Sequence, residues 1–258
     1  MILGMTVGEM AVFGGACLAA AATQSLSSFG FGVVLVGLLP IFGVPIPETV
    51  VLVTLLVVPN LAIAVWRLRR EASVRRVAWL LAGVPLGIPF GIYLLTAEGL
   101  GRLLRGLLGL VLIFAAVAPF LLRRLAPRPE RRRWAFTAGV ASGALGAALS
   151  TGGPPVVIYF YRRQWPKELT KACVMLTFVG TVSLRLIAYV IQTPITGKAL
   201  LTGELLLKAA VFSPAVVAGT ILGEGLFGKV SQRGFRWAVA AMLIVCGAYQ
   251  LGKAMGAW

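Results

Sequence analysis

The chain has 258 residues, 59% of them apolar, and a mean hydropathy of +0.94. Soluble globular domains are about 45–50% apolar, so this composition excludes a soluble fold and indicates an integral membrane protein. The formal charge is +16, and the chain contains no His and no Asp. These absences exclude His-containing metal sites, Ser-His-Asp triads and the paired aspartates of intramembrane proteases.

Apolar segments follow one another along the whole chain and are typical of transmembrane helices of about 20 residues. The eight segments are 9–26, 31–42, 48–66, 77–95, 102–122, 134–161, 172–192 and 203–252. The last predicts two helices, split near 229–233. Segments of about ten residues with alternating polarity, the pattern of membrane β-barrels, are absent. We therefore expect 1–258 to form a single all-α transmembrane domain.

Two short polar stretches, 27–32 and 150–155, interrupt apolar runs in corresponding places of the two halves. Hydroxyl and glycine residues at membrane depth can unwind a helix and present backbone N–H groups to an anion. A matched pair of such breaks indicates the substrate site of a secondary transporter.

The two halves resemble each other in sequence. Ser27-Ser28-x-Gly30-x-x-Val33-Val34 matches Ser150-Thr151-x-Gly153-x-x-Val156-Val157 at an offset of 123, and Gly87-x-x-x-Gly91 corresponds to Gly219-x-x-x-Gly223. Small residues four apart allow helix backbones to approach closely. We expect a first repeat over 1–125, a cytoplasmic linker over 126–133 and a second repeat over 134–258.

Loop charge predicts the orientation of these repeats. The basic residues cluster in the loop after 48–66, in the linker between the halves and in the loop after 134–161, and the positive-inside rule assigns these loops to the cytoplasm. The loop 43–47, which corresponds to the last of these, contains no basic residue and is predicted to be external. Equivalent loops on opposite sides indicate inverted repeats.

Inversion requires an odd number of crossings in each half, which follows if 9–42 and 134–161 are re-entrant hairpins. Segment 134–161 would be roughly 42 Å long as one helix, too long for a single upright span, so we expect two half-depth helices there. The fold predicted is two inverted repeats, each a broken, re-entrant hairpin followed by three transmembrane helices. Eight full crossings with parallel repeats are the alternative.

These elements resemble the TauE/SafE family of sulfite exporters, also called TSUP permeases, over nearly the whole chain. The resemblance rests on Gly30-Phe31-Gly32-Val33 with Leu39-Pro40, on Gly83-Val84-Pro85-Leu86-Gly87, and on Gly143-Ala144-Leu145-Gly146 with Gly152-Gly153-Pro154-Pro155 and Tyr159. It implies export or exchange of sulfite, sulfonates and related small sulfur oxyanions.

The residues expected to bind the anion supply hydroxyl, amide or backbone N–H donors, or a positive charge. They are Gln24, Ser27, Ser28, Gly30, Asn60, Ser150, Thr151, Gly152, Gly153, Pro154 and Arg185. Each has a structural alternative: small residues also pack helices closely, the two amides can join helices, and Arg185 can extend to the interface. Glu224 is a candidate for proton coupling.

The function expected is a transporter in the cytoplasmic (inner) membrane of a prokaryote that exports sulfite or a short sulfonate. Its partners would be the small anion and the lipid bilayer, without nucleic acid, and assembly into a homo-oligomer stays open. We expect no enzymatic activity, catalytic residue, metal or cofactor. An anion channel, a transporter of another small anion, and a membrane-embedded enzyme or electron-transfer subunit are the alternatives.

Overall fold

A computed structural model describes residues 6–71, 73–121, 131–163, 165–196, 199–226 and 232–256. These residues form α-helices and short connections, with no strand among them. The helices are α1 (Val7–Ser27), α2 (Phe31–Leu38), α3 (Ile46–Leu68), α4 (Val74–Thr96), α5 (Gly101–Leu121), α6 (Arg132–Leu149), α7 (Gly153–Tyr161), α8 (Lys167–Thr196), α9 (Gly203–Leu226) and α10 (Gln232–Met255). A 3-10 turn, Leu39–Phe42, extends α2.

Seven of the described helices are long and apolar enough to cross a membrane, namely α1, α3, α4, α5, α8, α9 and α10. The chain is therefore a multi-pass membrane protein. The predicted linker 126–133 lies largely outside the described residues, as do 227–231 in the predicted split near 229–233.

The two broken elements each combine one long and one short helix. In the second element, α6 has 18 residues and α7 has 9. At 1.5 Å per residue α6 is about 27 Å long, close to the full hydrocarbon thickness of about 30 Å. α6 is thus longer than the half-depth helix expected over 134–161, whereas α7 has that length; how deep either helix lies in the bilayer stays a prediction.

Glycine contacts show which helices lie closest to one another. A Cβ atom on Gly83 would overlap the carbonyl oxygen of Phe136, and one on Gly91 would overlap that of Ala144. Because residue numbers rise together along this contact, α4 and α6 run parallel. Both helices approach backbone to backbone, which only residues without a side chain permit.

The same arrangement occurs between α1 and α9, where Gly14 contacts Phe212 and Gly219 lies against the Leu18 backbone. These two helices also run parallel. By contrast, α5 and α10 run antiparallel, since Gly106 lies near Ala254 whereas Gly247 lies near Ile113. α3 and α8 pack against each other between these pairs, α3 also against α9 and α8 also against α4.

Three basic loops meet at one end of the bundle. The Arg76 guanidinium lies over the Trp165 ring, 4.6 Å from its centroid, and Arg132 lies over Trp79 at 5.2 Å. These contacts join the loops before α4, α6 and α8, and we call this end the basic face. The sequence predicted that these loops share one side, although Arg123, Arg124 and Arg128 lie outside the described residues.

The close contact between α4 and α6 predicts the stability effect of one methyl group. In Gly87→Ala the new Cβ would overlap the carbonyl oxygen of Val140, whereas in Gly15→Ala on α1 it would have no atom within 4 Å. We expect Gly87→Ala to lower stability by about 1–3 kcal/mol through overpacking. Gly15→Ala should leave stability unchanged or raise it, because Ala favours the helix. Thermal unfolding in detergent measures both, and equal melting temperatures would contradict the contact.

Candidate functional site

Each broken element turns at a serine in the left-handed region. Ser28 follows α1 with φ 67°, and Ser150 follows α6 with φ 52°. Each serine N–H donates to a carbonyl one turn back, Ser28 to Gln24 at 2.8 Å and Ser150 to Gly146 at 2.9 Å. Because residues with a Cβ rarely adopt this conformation, these two positions mark the ends of the long helices.

The chain then re-enters a short helix. Gly30, with φ 121°, precedes α2 and adopts a backbone conformation that other residues rarely tolerate. The N–H of Phe31 in the first turn of α2 donates to Gln24 Oε1 at 3.2 Å. In α7, Pro154 and Pro155 occupy the first turn, as expected, where a missing N–H costs nothing.

The two breaks lie against each other. A Cβ atom on Gly32 would overlap the carbonyl oxygen of Ser150, and one on Gly153 would lie 3.7 Å from Phe29 Cβ. Between them is a cavity of about 50 Å³. The polar and glycine residues of its wall are Gln24, Gly30, Gly32, Ser142, Gly146, Ser150, Thr151, Gly152, Gly153, Thr181 and Arg185. The remaining wall is apolar and comes mainly from α3, Phe29 and Phe178.

Arg185 of α8 reaches this cavity with only 4% of its surface exposed. Its Nη1 donates to the carbonyl oxygen of Gly146, in the last turn of α6, and its Nε is buried without a hydrogen-bond partner. No carboxylate in the described part of the chain forms an ion pair with it. Arg185 therefore does not extend to the interface, and it leaves a buried positive charge at the cavity.

Thr151 supplies a second donor to the same wall. Thr151 is 1% exposed, and its Oγ1 is buried without a hydrogen-bond partner. An unsatisfied buried hydroxyl costs about 1–3 kcal/mol, so a ligand that accepts its proton recovers this free energy. Thr151 and Arg185 together give the cavity wall hydrogen-bond donors, and none of its lining residues is acidic.

The amide side chains of Gln24 and Asn60 are largely occupied by each other and by neighbouring helices. Gln24 Nε2 donates to Asn60 Oδ1 at 2.8 Å, and Asn60 Nδ2 donates to Thr220 Oγ1 at 2.8 Å and to the Ala21 carbonyl at 3.4 Å. This chain of bonds joins α1, α3 and α9. The structural alternative, interhelical hydrogen bonding, therefore describes both amides, although Gln24 also lines the cavity.

The structure places the predicted binding residues in two groups. Those on the cavity wall are Gln24, Gly30, Ser150, Thr151, Gly152, Gly153 and Arg185. Those outside the wall are Ser27, Ser28, Asn60 and Pro154. Ser27 Oγ lies within hydrogen-bond distance of the Thr23 and Phe29 carbonyls, so its hydroxyl is used within the first break. Whether any of these residues binds an anion stays a prediction.

Sequence reasoning missed several wall residues. Ser142 Oγ donates to the Gly152 carbonyl at 2.8 Å and so holds the second break against α6. For Thr181 a usable signal was present, because it precedes Arg185 by four residues and shares its face of α8. Phe29 and Phe178 carry no such signal, since apolar residues in an apolar chain are indistinguishable by pattern.

Glu224, the candidate coupling group, lies away from the cavity wall. Its Oε1 accepts from Lys171 Nζ at 2.9 Å, and the same Nζ donates to the Ser25 carbonyl at 3.1 Å. Both side chains are largely buried, with 11% and 15% exposure for Lys171 and Glu224. This ion pair joins α8, α9 and the end of α1.

Comparison with known proteins gives two matches. The sequence model of the family described as Sulfite exporter TauE/SafE matches residues 12–250. A protein of Cupriavidus necator named "Probable sulfite/organosulfonate exporter TauE" is 26% identical over 242 residues, covering 91% of each chain. No solved structure matches.

The ion pair beside the first break predicts a stability difference between single and double variants. Lys171→Met would leave the Glu224 carboxylate buried without its partner, at a cost of about 3–5 kcal/mol. In Lys171→Met with Glu224→Gln that charge is removed, so part of the loss should return. Thermal unfolding of the four forms in detergent measures this coupling. A double variant no more stable than Lys171→Met would mean that the pair does not act as a unit.

Proposed function

The chain belongs to the Sulfite exporter TauE/SafE family, and on this premise we propose that it exports a small sulfur oxyanion, bound in the cavity between the two breaks. The observation that carries the proposal is Arg185, a buried cation at this cavity with no ion-pair partner among the described carboxylates. Burying a charge without a counter-charge is costly, so the site favours an anionic ligand that supplies one.

Neutral donors complete the proposed binding site. The hydroxyl of Thr151 has no partner, and the short helices α2 and α7 begin at the cavity wall. The first N–H groups of a helix lack acceptors within it and lie at its positive end, which favours a bound anion. Gly32 in α2 and Gly152 before α7 are the wall positions from which we propose such backbone donation.

The size of the cavity favours a small anion. One water-sized sphere needs roughly 10–15 Å³, so about 50 Å³ holds roughly three to five such spheres. Sulfite, with one sulfur and three oxygen atoms, fits this volume, whereas an organosulfonate needs the cavity to widen. The apolar part of the wall, which includes Phe29, Phe178 and Val53, would face a sulfonate's carbon chain in a widened state.

Helix directions support inverted repeats. If α1 to α5 correspond in order to α6 to α10, the parallel pair α4 and α6 corresponds to the parallel pair α9 and α1. The counterparts α5 and α10 run antiparallel, as inversion requires. We propose that access alternates as one repeat moves against the other around the shared cavity.

Export of the anion needs no coupled ion. We propose that the basic face lies in the cytoplasm of a prokaryotic cell, as the positive-inside rule indicates. Moving one negative charge out of an inside-negative cell is then favourable by about 2.3 kcal/mol per 100 mV. Glu224 is paired with Lys171 away from the cavity and no acidic residue lines the cavity wall, which supports export without a coupled proton.

The proposal predicts that transport depends on the guanidinium of Arg185. Arg185→Gln removes the charge and should abolish sulfite flux in reconstituted vesicles. Arg185→Lys keeps the charge but loses the planar fork, and we expect kcat/KM to fall about 100-fold because two-point binding is lost. Flux of labelled sulfite, with its dependence on concentration, measures both variants.

Binding of sulfite to the same variants gives an independent reading. Sulfite should raise the melting temperature of the wild-type protein but not of Arg185→Gln, since only a bound ligand stabilises the folded state. Saturable flux in Arg185→Gln equal to that of the wild type would contradict this binding site. Flux that never saturates, and that shows no exchange against internal sulfite, would favour the anion channel instead.

The free hydroxyl of Thr151 predicts opposite effects on binding and on stability. Thr151→Val should weaken sulfite binding about 10- to 100-fold, the loss of one hydrogen bond to a charged ligand. The unliganded protein should keep or gain stability, because an unsatisfied buried hydroxyl is removed. Titration calorimetry and thermal unfolding separate the two effects.

Thr177→Val is the matched control for Thr151→Val. Thr177 is fully buried in α8, but its hydroxyl donates to the Cys173 carbonyl at 2.8 Å and does not line the cavity. This control should bind sulfite with wild-type affinity. Equal loss of affinity in both variants would show a general packing effect and would remove Thr151 from the site.

A further inference from the structure

A second and larger cavity lies between the start of α6 and the end of α7, the two ends of this broken element, which we call its feet. Its volume is about 290 Å³, and its wall includes Trp134 and Ala138 of α6, Ile158 and Tyr159 of α7, and Arg162 and Arg163 directly after α7. We call it the foot groove. It is well above the volume of the central cavity and too large for a four-atom anion alone.

The foot groove lies on the basic face. Arg163 lies over the Tyr159 ring at 4.2 Å, on the same end of the bundle where Arg132 lies over Trp79. Trp134 is half-exposed at 50%. Tryptophan and tyrosine collect at the level of lipid headgroups, so the groove is expected at the membrane surface.

Charge and polarity are separated within the groove. Arg162 and Arg163 follow the last residue of α7, while Ala138 and Ile158 lie about one turn further into α6 and α7 and supply apolar surface. None of the residues that line it is acidic. A soluble anion would gain nothing from the apolar part, whereas a molecule with a phosphate at one end and hydrocarbon at the other fits both parts.

We propose that the foot groove binds an anionic phospholipid, with its phosphate at Arg162 and Arg163 and its glycerol and first acyl carbons against Ala138 and Ile158. Basic pockets between membrane helices on the cytoplasmic side bind anionic headgroups in this way. Arginine suits the role because its planar donors match phosphate oxygens.

The bound lipid joins the foot of α6 to the foot of α7. α7 is nine residues long, and its first residue, Gly153, lies on the wall of the central cavity. Lipid occupancy would therefore set the spacing of the two helices that form the second break. The lipid site itself does not depend on which anion the central cavity binds.

The test is retention of phosphatidylglycerol by the full-length protein. The protein is reconstituted in phosphatidylcholine vesicles with and without phosphatidylglycerol, extracted gently, and analysed for bound lipid by native mass spectrometry. The double variant Arg162→Gln with Arg163→Gln should retain about tenfold less phosphatidylglycerol than the wild type. Its helix content by circular dichroism should be unchanged.

The matched control is Arg69→Gln with Arg70→Gln, which removes the same charge from the basic face outside the groove. It should retain wild-type amounts of phosphatidylglycerol. Equal loss in both double variants would mean attraction to the surface in general and would overturn the site. A second variant, Ala138→Phe, keeps both arginines but fills the apolar part, and it should also lose the lipid.

Two further outcomes would overturn the proposal. If glycerol phosphate, which has the charge but no acyl chain, displaces phosphatidylglycerol at equal concentration, the groove is a site for soluble anions. If the Arg162 and Arg163 variant retains the lipid but needs more sulfite for half-maximal flux, the groove is an entrance for the transported anion.

Discussion

Backbone N–H and C=O groups inside a bilayer must find partners within the protein, because no water is present to accept or donate, and each unmet group costs several kcal/mol. A helix that breaks inside an apolar segment frees several such groups at once. Here side chains meet several of the freed groups. Gln24 accepts the Phe31 N–H, Ser142 donates to the Gly152 carbonyl, and Arg185 donates to the Gly146 carbonyl. The breaks are therefore stable only in the assembled bundle.

The two breaks differ in what remains after these bonds are made. At the first break Gln24 and Asn60 are neutral and bonded to each other, and they continue to Thr220 of α9. At the second break a cation is present instead. Arg185 donates into the last turn of α6, whose carbonyl end carries partial negative charge and so favours a positive group. α7, which follows, presents its positive N-terminal end to the cavity. An anion beside Arg185 would therefore meet positive potential from the guanidinium and from the start of α7.

Long apolar segments and the two breaks could be predicted from sequence because they depend on local composition. The serine doublet shows the limit of that reasoning. Ser27 aligns with Ser150 by pattern, yet the left-handed residues are Ser28 and Ser150, 122 positions apart instead of 123. Either serine of the doublet could end a helix by residue type, and only the fold shows that Ser28 does, with its N–H donating to the Gln24 carbonyl. The break that ends α6 could be located by composition, but nothing within its apolar run marks how deep the helix lies in the bilayer.

By itself the sequence determined that the protein lies in a membrane, that its helices are interrupted twice, and which residues carry polar groups there. Only the tertiary structure decided which of those groups are already bonded and which remain available. Gln24 and Asn60 are 36 residues apart, Asn60 and Thr220 are 160 apart, and Lys171 reaches Glu224 across 53. Such bonds depend on how close the helices lie in space, and that distance cannot be read from the spacing of residues along the chain. Arg185 Nε and the Thr151 hydroxyl remain available because no acceptor in the described part of the chain forms a hydrogen bond with either.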